Sequence, residues 1–236
     1  METVNDREDF GYILENYKEI CYNVNNAREK YGRGDVSIMA VTKTVPYEKV
    51  NFAIENGLTL LGENRVQEYL SKKDFYDKRA QVHFIGHLQT NKVKYIADSV
   101  SLIQSVDSLK LAQEIDKHAR KASRIMDILI EINIGDEATK SGIDSSQLFE
   151  LVSAISTLEN VRVKGLMAIP PIGAGEEVFE KMNELFCLTK EKGFDNVSMD
   201  ILSMGMSGDY EMAIKHGSNL IRIGTKLFGA RNYLKG

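Results

Sequence analysis

Stretches of β-prone residues and amphipathic helical stretches alternate along the whole of this 236-residue chain. A helical pattern follows each of the first seven β-prone runs, and no linker or low-complexity segment interrupts the series. Such alternation predicts a parallel sheet, and about eight strand–helix units close naturally into a barrel. We therefore predict a single-domain (β/α)8 TIM barrel of the α/β class, with a doubly wound open sheet as the alternative. The β-prone runs are residues 37–43, 58–64, 81–87, 102–106, 127–134, 161–169, 197–204 and 220–224.

The segment before the first strand, residues 1–33, carries one further helix. Apolar residues recur at three- and four-residue spacing from Phe10 to Val24, which predicts an amphipathic helix with Cys21 on its apolar face. Because this helix precedes the first strand, we expect it to flank the barrel within one domain of residues 1–236. Two cysteines are too few for a disulfide framework in a chain of this length, so we expect both to be reduced thiols.

Composition limits the classes of partner. A hydrophobic content of 43% and a charged content of 27% are typical of a soluble globular protein. The net charge of -4 gives no electrostatic basis for binding nucleic acid or an anionic membrane. No apolar run approaches the ~20 residues that a membrane helix needs, and the first residues are too polar for a signal peptide. We therefore expect a cytoplasmic protein that binds neither nucleic acid nor a membrane.

The first β-prone run ends at a lysine. With a side-chain period of two, Met39, Val41 and Lys43 share one face of the predicted strand. A lysine that ends a buried strand is unusual, because lysine side chains are rarely buried without a partner. Lys43 either marks the exit of the strand into solvent or is a Schiff-base lysine, whose amine becomes nucleophilic in a partly desolvated site.

Two loops near the C-terminal end of the sequence favour a phosphate. The first, Ser203–Asp209, places small residues and the Ser207 hydroxyl between a strand and a helix, where backbone N–H groups and the helix dipole attract an anion. In the second, Gly224 and Thr225 follow the next strand. The loops after strands seven and eight are the usual phosphate site of this barrel. The alternative is an ordinary helix cap at Ser207 and a turn at Gly224.

A phosphate site beside Lys43 predicts a ligand with a phosphate at one end and an electrophilic carbon at the other. Pyridoxal 5′-phosphate (PLP) fits this description, and so does the phosphosugar of a class I aldolase. Arg222 shares a strand face with Gly224, so it can point into the barrel mouth. PLP sites place an Asp or Arg at the pyridine nitrogen. An arginine is a permanently charged donor that would keep this nitrogen unprotonated and weaken the electron sink.

Seven short motifs in the sequence resemble those of one protein family. Together they resemble the pyridoxal phosphate homeostasis protein family, which is similar to the barrel domain of alanine racemase, a fold-type III PLP enzyme. The motifs span nearly the whole chain in the order expected for that family. They are Ala40–Thr44, Gly62–Glu68, His83–Gln89, Glu137–Gly142, Gly165–Pro170, Ser203–Ser207 and Arg222–Thr225.

This resemblance implies a set of residues and a function. It implies that Lys43 carries PLP as an internal aldimine and that Arg222 lies at the pyridine nitrogen. Members of the family bind PLP without established catalysis and act in vitamin B6 and amino-acid homeostasis. We therefore expect a monomeric PLP-binding protein that is not an enzyme, with PLP and PLP-requiring apo-enzymes as its partners. The implied cofactor-binding residues are Lys43, Asn64, His87, Met204, Ser207, Gly208, Arg222, Gly224 and Thr225.

Two classes of enzyme remain as alternatives. Alanine racemases continue into a β-domain that helps to supply a second catalytic base, whereas this sequence ends soon after its eighth predicted strand. A racemase-like activity is therefore the second interpretation. A Schiff-base aldolase is the third, because its candidate Lys164 lies early in the sixth predicted strand, toward the end opposite the loops.

Several other polar residues allow a structural interpretation. His83 and His87 lie four residues apart on one predicted strand, about 13 Å, which is too far to share a metal ion. We therefore predict no metal site and interpret His83 as a packed core histidine. Glu63 and Glu68 are interpreted as helix-start or surface acids. Lys140, in the loop after strand five, is either a solvated loop lysine or has a secondary part in handling PLP.

Overall fold

The computed structural model describes residues 10–135 and 141–229, which form a closed eight-stranded barrel. All neighbouring strands are parallel and follow one another in chain order, and β1 pairs with β8 to close the sheet. The predicted (β/α)8 barrel is confirmed, and the doubly wound open sheet is excluded. The strands are β1 (Ser37–Val41), β2 (Leu60–Glu63), β3 (Gln81–Phe84), β4 (Leu102–Val106), β5 (Met126–Ile132), β6 (Val161–Ala168), β7 (Val197–Ser203) and β8 (Leu220–Ile223).

Helices surround this barrel, and the predicted N-terminal helix flanks it. Tyr12 Oη of that helix donates to the Phe228 carbonyl at 3.3 Å, and Asn16 Nδ2 donates to the Leu227 carbonyl at 3.0 Å. These bonds fix the first helix on the last one. The α-helices of the described residues are α1 (Gly11–Tyr31), α2 (Tyr47–Glu55), α3 (Val66–Lys72), α4 (Leu109–Lys121), α5 (Leu148–Ile155), α6 (Glu176–Glu191), α7 (Tyr210–Lys215) and α8 (Thr225–Phe228).

The barrel strands are buried on both faces, as a parallel sheet covered by helices requires. All five residues of β4 are buried, as are six of the seven residues of β5. Inside the barrel, Leu102, Leu129 and Met167 pack together. Outside it, α4 buries a stripe that includes Leu111 and Ile115 against the sheet. The near-continuous apolar runs at β4 and β5 thus become strands without a solvent face.

The second and third strands are shorter than predicted. Their runs were expected to cover residues 58–64 and 81–87, but the pairing between β2 and β3 stops at the ends of those two elements. Just beyond, the backbone of Gly86 lies so close to Asn64 that a Cβ at residue 86 would be 2.1 Å from the Asn64 carbonyl oxygen. The strand pairing therefore ends here, and the segments after β2 and β3 continue as loops that pack on one another. Only glycine fits where the two backbones approach so closely.

Two helical elements also differ from the prediction. The helical pattern predicted after the third β-prone run is a short 3₁₀ helix, Thr90–Tyr95. The segment after β8, for which the sequence predicts no helix, contains α8. A helix of four residues is too short to produce the periodic apolar pattern that predicts helices.

The cysteines behave as expected. Cys21 is half-buried beside the buried stripe of α1, Cys187 is exposed, and both are free thiols. Among the described helices, none combines the length and apolar character that a membrane crossing requires.

Candidate functional site

Apart from Arg222, which lies within β8, the predicted cofactor residues follow the carboxyl ends of strands, and these ends meet at one mouth of the barrel. Lys43 lies in a turn just after β1, and Asn64 follows β2 directly. His87 lies three residues beyond β3 and is exposed. Its Nδ1 is 3.6 Å from Oδ2 of Asp107, the residue that follows β4. The mouth therefore carries a ring of polar side chains from adjacent strands.

The two loops predicted for a phosphate contact each other. The Ser207 hydroxyl accepts a hydrogen bond from the Lys226 backbone N–H at 3.3 Å. Gly224 is the residue before α8 and has no side chain with which to cap that helix. Thr225 and Gly208 are exposed, and open space lies where a Cβ of residue 208 would be. Small residues, two hydroxyls and backbone amides therefore come together above β7 and β8.

Arg222 lies inside the barrel rather than at its rim. Its side chain is buried, and its NH1 and NH2 groups donate to Ser203 Oγ at 2.6 Å and to the Ala168 carbonyl at 2.7 Å. Burial lowers the pKa of the Arg222 guanidinium to about 10, so it keeps its charge at neutral pH. Arg222 also pairs in register with Met39 of β1, the strand that leads to Lys43.

A chain of polar side chains that the sequence analysis missed continues from Arg222 across the barrel interior. Ser203 Oγ donates to Gln104 Oε1 at 2.7 Å, and Gln104 Nε2 lies 3.0 Å from Nδ1 of His83. Burial lowers the pKa of the His83 imidazole to about 4, so the ring is neutral near pH 7. His83 is thus a packed histidine, as interpreted from the sequence. The available signal for Gln104 and Ser203 was a polar residue inside an otherwise apolar strand run.

Glu131 of β5 is a second residue that the sequence analysis missed. It is buried, its Oε1 accepts from Ser141 Oγ at 2.7 Å, and its Oε2 has no hydrogen-bond partner among the described residues. Burial raises the pKa of the Glu131 carboxyl, while the Ser141 hydroxyl and the Arg222 charge act in the opposite direction. The charges of Asp107 and His87 also act on it. An acid in the most apolar run of the chain was the available signal.

The interpretation of Glu63 as a helix-start or surface acid is wrong. Glu63 is the last residue of β2 and is fully buried. Its Oε1 accepts from Thr42 Oγ1 at 2.7 Å and from the Tyr76 hydroxyl, and it lies 3.5 Å from Lys72 Nζ. These three donors offset the cost of burying Oε1, while Oε2 is buried without a hydrogen-bond partner among the described residues. Glu68 does lie in the first turn of α3, as interpreted.

The remaining predicted residues lie at different distances from this mouth. Met204 follows β7 and is fully buried. Lys164 Nζ donates to Ser198 Oγ at 2.9 Å and forms an ion pair with Asp200, near the start of β7 and away from the mouth. Lys140 is outside the described residues.

The side chain of Asn64 carries a polar atom at the mouth, Oδ1, that is buried without a hydrogen-bond partner among the described residues. Buried polar atoms are normally paired with protein or bound groups. Together with the buried oxygen of Glu131 and the charged donor Arg222, it indicates a mouth built for a polar ligand that brings its own donors and acceptors.

Comparisons with known proteins agree with this geometry. Residues 16–232 match the family "Alanine racemase, N-terminal domain". A "Pyridoxal phosphate homeostasis protein" of Aquifex aeolicus is 43% identical over 98% of this chain and the whole of that relative. A relative of the same name from Vibrio alginolyticus is 36% identical over 94% of this chain and 98% of its own.

Solved structures show the same fold. PipY of Synechococcus elongatus PCC7942, with PLP bound, is 29% identical with a TM-score of 0.76, over 89% of this chain and 100% of its own. An alanine racemase of Clostridium difficile 630, 17% identical with a TM-score of 0.71, shares the fold over 94% of this chain and 58% of its own. The extent and identity of these matches place the chain in the pyridoxal phosphate homeostasis protein family, on the fold of the alanine racemase N-terminal domain.

Proposed function

We propose that this protein binds PLP at the mouth of the barrel, in covalent attachment to Lys43, and acts in the homeostasis of intracellular PLP. The observation that carries the proposal is the contact between the loops after β7 and β8, beside the strand that leads to Lys43. The PLP bound to PipY and the names of the relatives support it.

The residues present fit this cofactor. Bound PLP supplies an aldehyde, to which a neutral lysine amine attaches with loss of water, together with a phosphate and a ring nitrogen that need partners. Ser207, Thr225 and the amides around Gly208 and Gly224 would hold the phosphate, because hydroxyls and free amides bind anions well. Arg222 would donate to the ring nitrogen.

Other predicted residues would complete the pocket. Asn64 Oδ1 is a buried acceptor in need of a donor, and Met204 is fully buried just behind the phosphate loop. His87 would line the exposed rim. The proposal needs one copy of the chain, because every predicted cofactor residue comes from one barrel, and we therefore propose that the protein acts as a monomer.

We propose further that this site holds PLP without substantial turnover. Arg222 has donors only and stays charged, so it cannot give the ring nitrogen a proton and would weaken the electron sink that racemisation requires. Several rim residues, including His87 and Thr225, are exposed. An open rim suits a site from which PLP can pass to a PLP-requiring apo-enzyme.

The experiment that tests the function is a PLP titration of the purified protein. Formation of the covalent bond is expected to produce visible absorption, and borohydride is expected to fix the cofactor on the peptide that contains Lys43. Incubation with L- and D-alanine is expected to give racemisation far below the ~10 s⁻¹ of a median enzyme. Absence of protein-bound PLP would contradict the proposed ligand, and racemisation at ordinary enzyme rates would restore the racemase-like interpretation.

The phosphate contacts give a prediction of their own. Ser207→Ala and Thr225→Val are each expected to weaken PLP binding roughly ten-fold or more, because a charge-assisted hydrogen bond contributes about 1.5–3 kcal/mol. Binding of pyridoxal, which lacks the phosphate, is expected to change little. Equilibrium titrations with both ligands measure the difference. Equal losses for PLP and pyridoxal would show that the phosphate binds elsewhere.

A further inference from the structure

A buried lysine outside the predicted cofactor site lies beneath the turn that carries Lys43. Lys72 is the last residue of α3, and its side chain is only 10% exposed. Its Nζ donates to the Thr42 carbonyl at 2.9 Å and to the Val45 carbonyl at 3.3 Å. One ammonium group therefore holds both ends of the turn Thr42–Val45.

Two carboxylates complete this cluster. Glu68 Oε1 accepts from Lys72 Nζ at 2.7 Å and from the Thr44 backbone N–H at 2.5 Å. Glu63 Oε1 lies 3.5 Å from the same Nζ and accepts from Thr42 Oγ1 at 2.7 Å. The residues on both sides of the predicted cofactor lysine are thus bonded to the cluster through their backbone or side chain.

The turn itself has a conformation that needs support. The Val45 N–H donates to the Thr42 carbonyl at 3.0 Å, and Thr44 between them has φ 62°. Residues other than glycine rarely adopt this left-handed region, and a β-branched residue does so at a cost. The bond from the Thr44 N–H to Glu68 holds the strained residue directly.

We propose that Lys72, together with Glu63 and Glu68, is a positioning group that holds the Thr42–Val45 turn in the conformation from which Lys43 reaches the cofactor. This inference rests on the proposed function, because Lys72 acts on the cofactor only through Lys43. The polar contacts of the cluster converge on the carbonyls of Thr42 and Val45 and on the amide of Thr44, which lie on the two sides of Lys43. Loss of the cluster should therefore impair covalent attachment more than phosphate binding.

The test compares two ligands on Lys72→Met. PLP can attach to a lysine, whereas pyridoxine 5′-phosphate has an alcohol in place of the aldehyde and cannot. Misplacement of a reacting group by about 1 Å can cost about a hundred-fold, so we expect PLP affinity and the rate at which visible absorption appears to fall at least about ten-fold. The affinity for pyridoxine 5′-phosphate should stay within about three-fold, since the phosphate loops are untouched.

A matched control is Lys164→Met. Lys164 is also a partly buried lysine with hydrogen bonds to a serine and an aspartate, but it lies away from the mouth. It should leave binding of both ligands unchanged. If Lys72→Met does not fold, Glu68→Leu removes the acceptor of the Thr44 amide and should give the same difference between the two ligands.

A second substitution in Lys72→Met tests whether Lys72 positions Lys43 or only stabilises the fold. Glycine adopts the left-handed region without strain, so Thr44→Gly should restore much of the PLP affinity that Lys72→Met loses. Equal losses for both ligands, unchanged PLP binding, or a double variant no better than Lys72→Met would overturn the inference. Failure of the wild-type protein to attach PLP would instead overturn the proposed function, so the two failures are distinguishable.

Discussion

Lys43→Ala is expected to abolish covalent attachment of PLP, because no other amine should reach the cofactor aldehyde at the mouth of the barrel. Borohydride treatment followed by mass spectrometry of peptides should find no fixed cofactor, where the unaltered protein carries it on the Lys43 peptide. Visible absorption of the bound cofactor should disappear as well. Some non-covalent PLP should remain, since the loops after β7 and β8 are intact and the phosphate contributes its own contacts.

The control for this prediction is Lys226→Met. Lys226 lies in α8 at the same end of the barrel, and its Nζ forms an ion pair with Glu19 at 3.1 Å. Its loss should leave covalent attachment in place. If borohydride fixes the cofactor mainly on Lys140 or Lys226 in the unaltered protein, the assignment to Lys43 is wrong. Circular dichroism of both variants checks that the barrel is folded.

Arg222→Met is expected to lower the free energy of unfolding by about 3–5 kcal/mol, the usual cost of removing one partner from a buried charged network. The Ser203 hydroxyl and the Ala168 carbonyl would each lose a donor. Glu131 would lose the positive charge that opposes the effect of burial on its carboxylate. Urea unfolding of the two proteins measures the difference. Arg79→Met, which removes an exposed ion pair with Asp77, should cost only about 0–1 kcal/mol.

The loss of stability in Arg222→Met should depend on pH. Burial raises the pKa of the Glu131 carboxyl, and loss of Arg222 should raise it further. A carboxyl with a raised pKa in the folded state contributes stability at low pH and loses that contribution as the pH rises through the folded value. The difference in the free energy of unfolding between Arg222→Met and the unaltered protein should therefore shrink as the pH falls from 8 to 5. Adding Glu131→Gln should recover part of the deficit at pH 8, and strict additivity of the two changes would contradict this coupling.

The sequence by itself determined the barrel and the order of its strands. A helical pattern follows each of the first seven β-prone runs, and parallel strands with helical connections can only pack with their carboxyl ends at one mouth. Lys43 and Asn64 could therefore be assigned to that mouth from the sequence alone, whereas the position of Arg222, buried within β8, needed the packing of the whole barrel. The resemblance of the surrounding motifs to a known family predicted PLP as the cofactor.

Only the tertiary structure decided which polar groups are buried and what they contact. Glu63, interpreted as a helix-start or surface acid, is buried because donors from Thr42 and Tyr76, far apart in sequence, converge on it. Lys72 holds two carbonyls 30 and 27 residues away, a contact that no local pattern encodes. Periodicity reports which face of an element is apolar, whereas the partner of a buried charge depends on how distant elements pack.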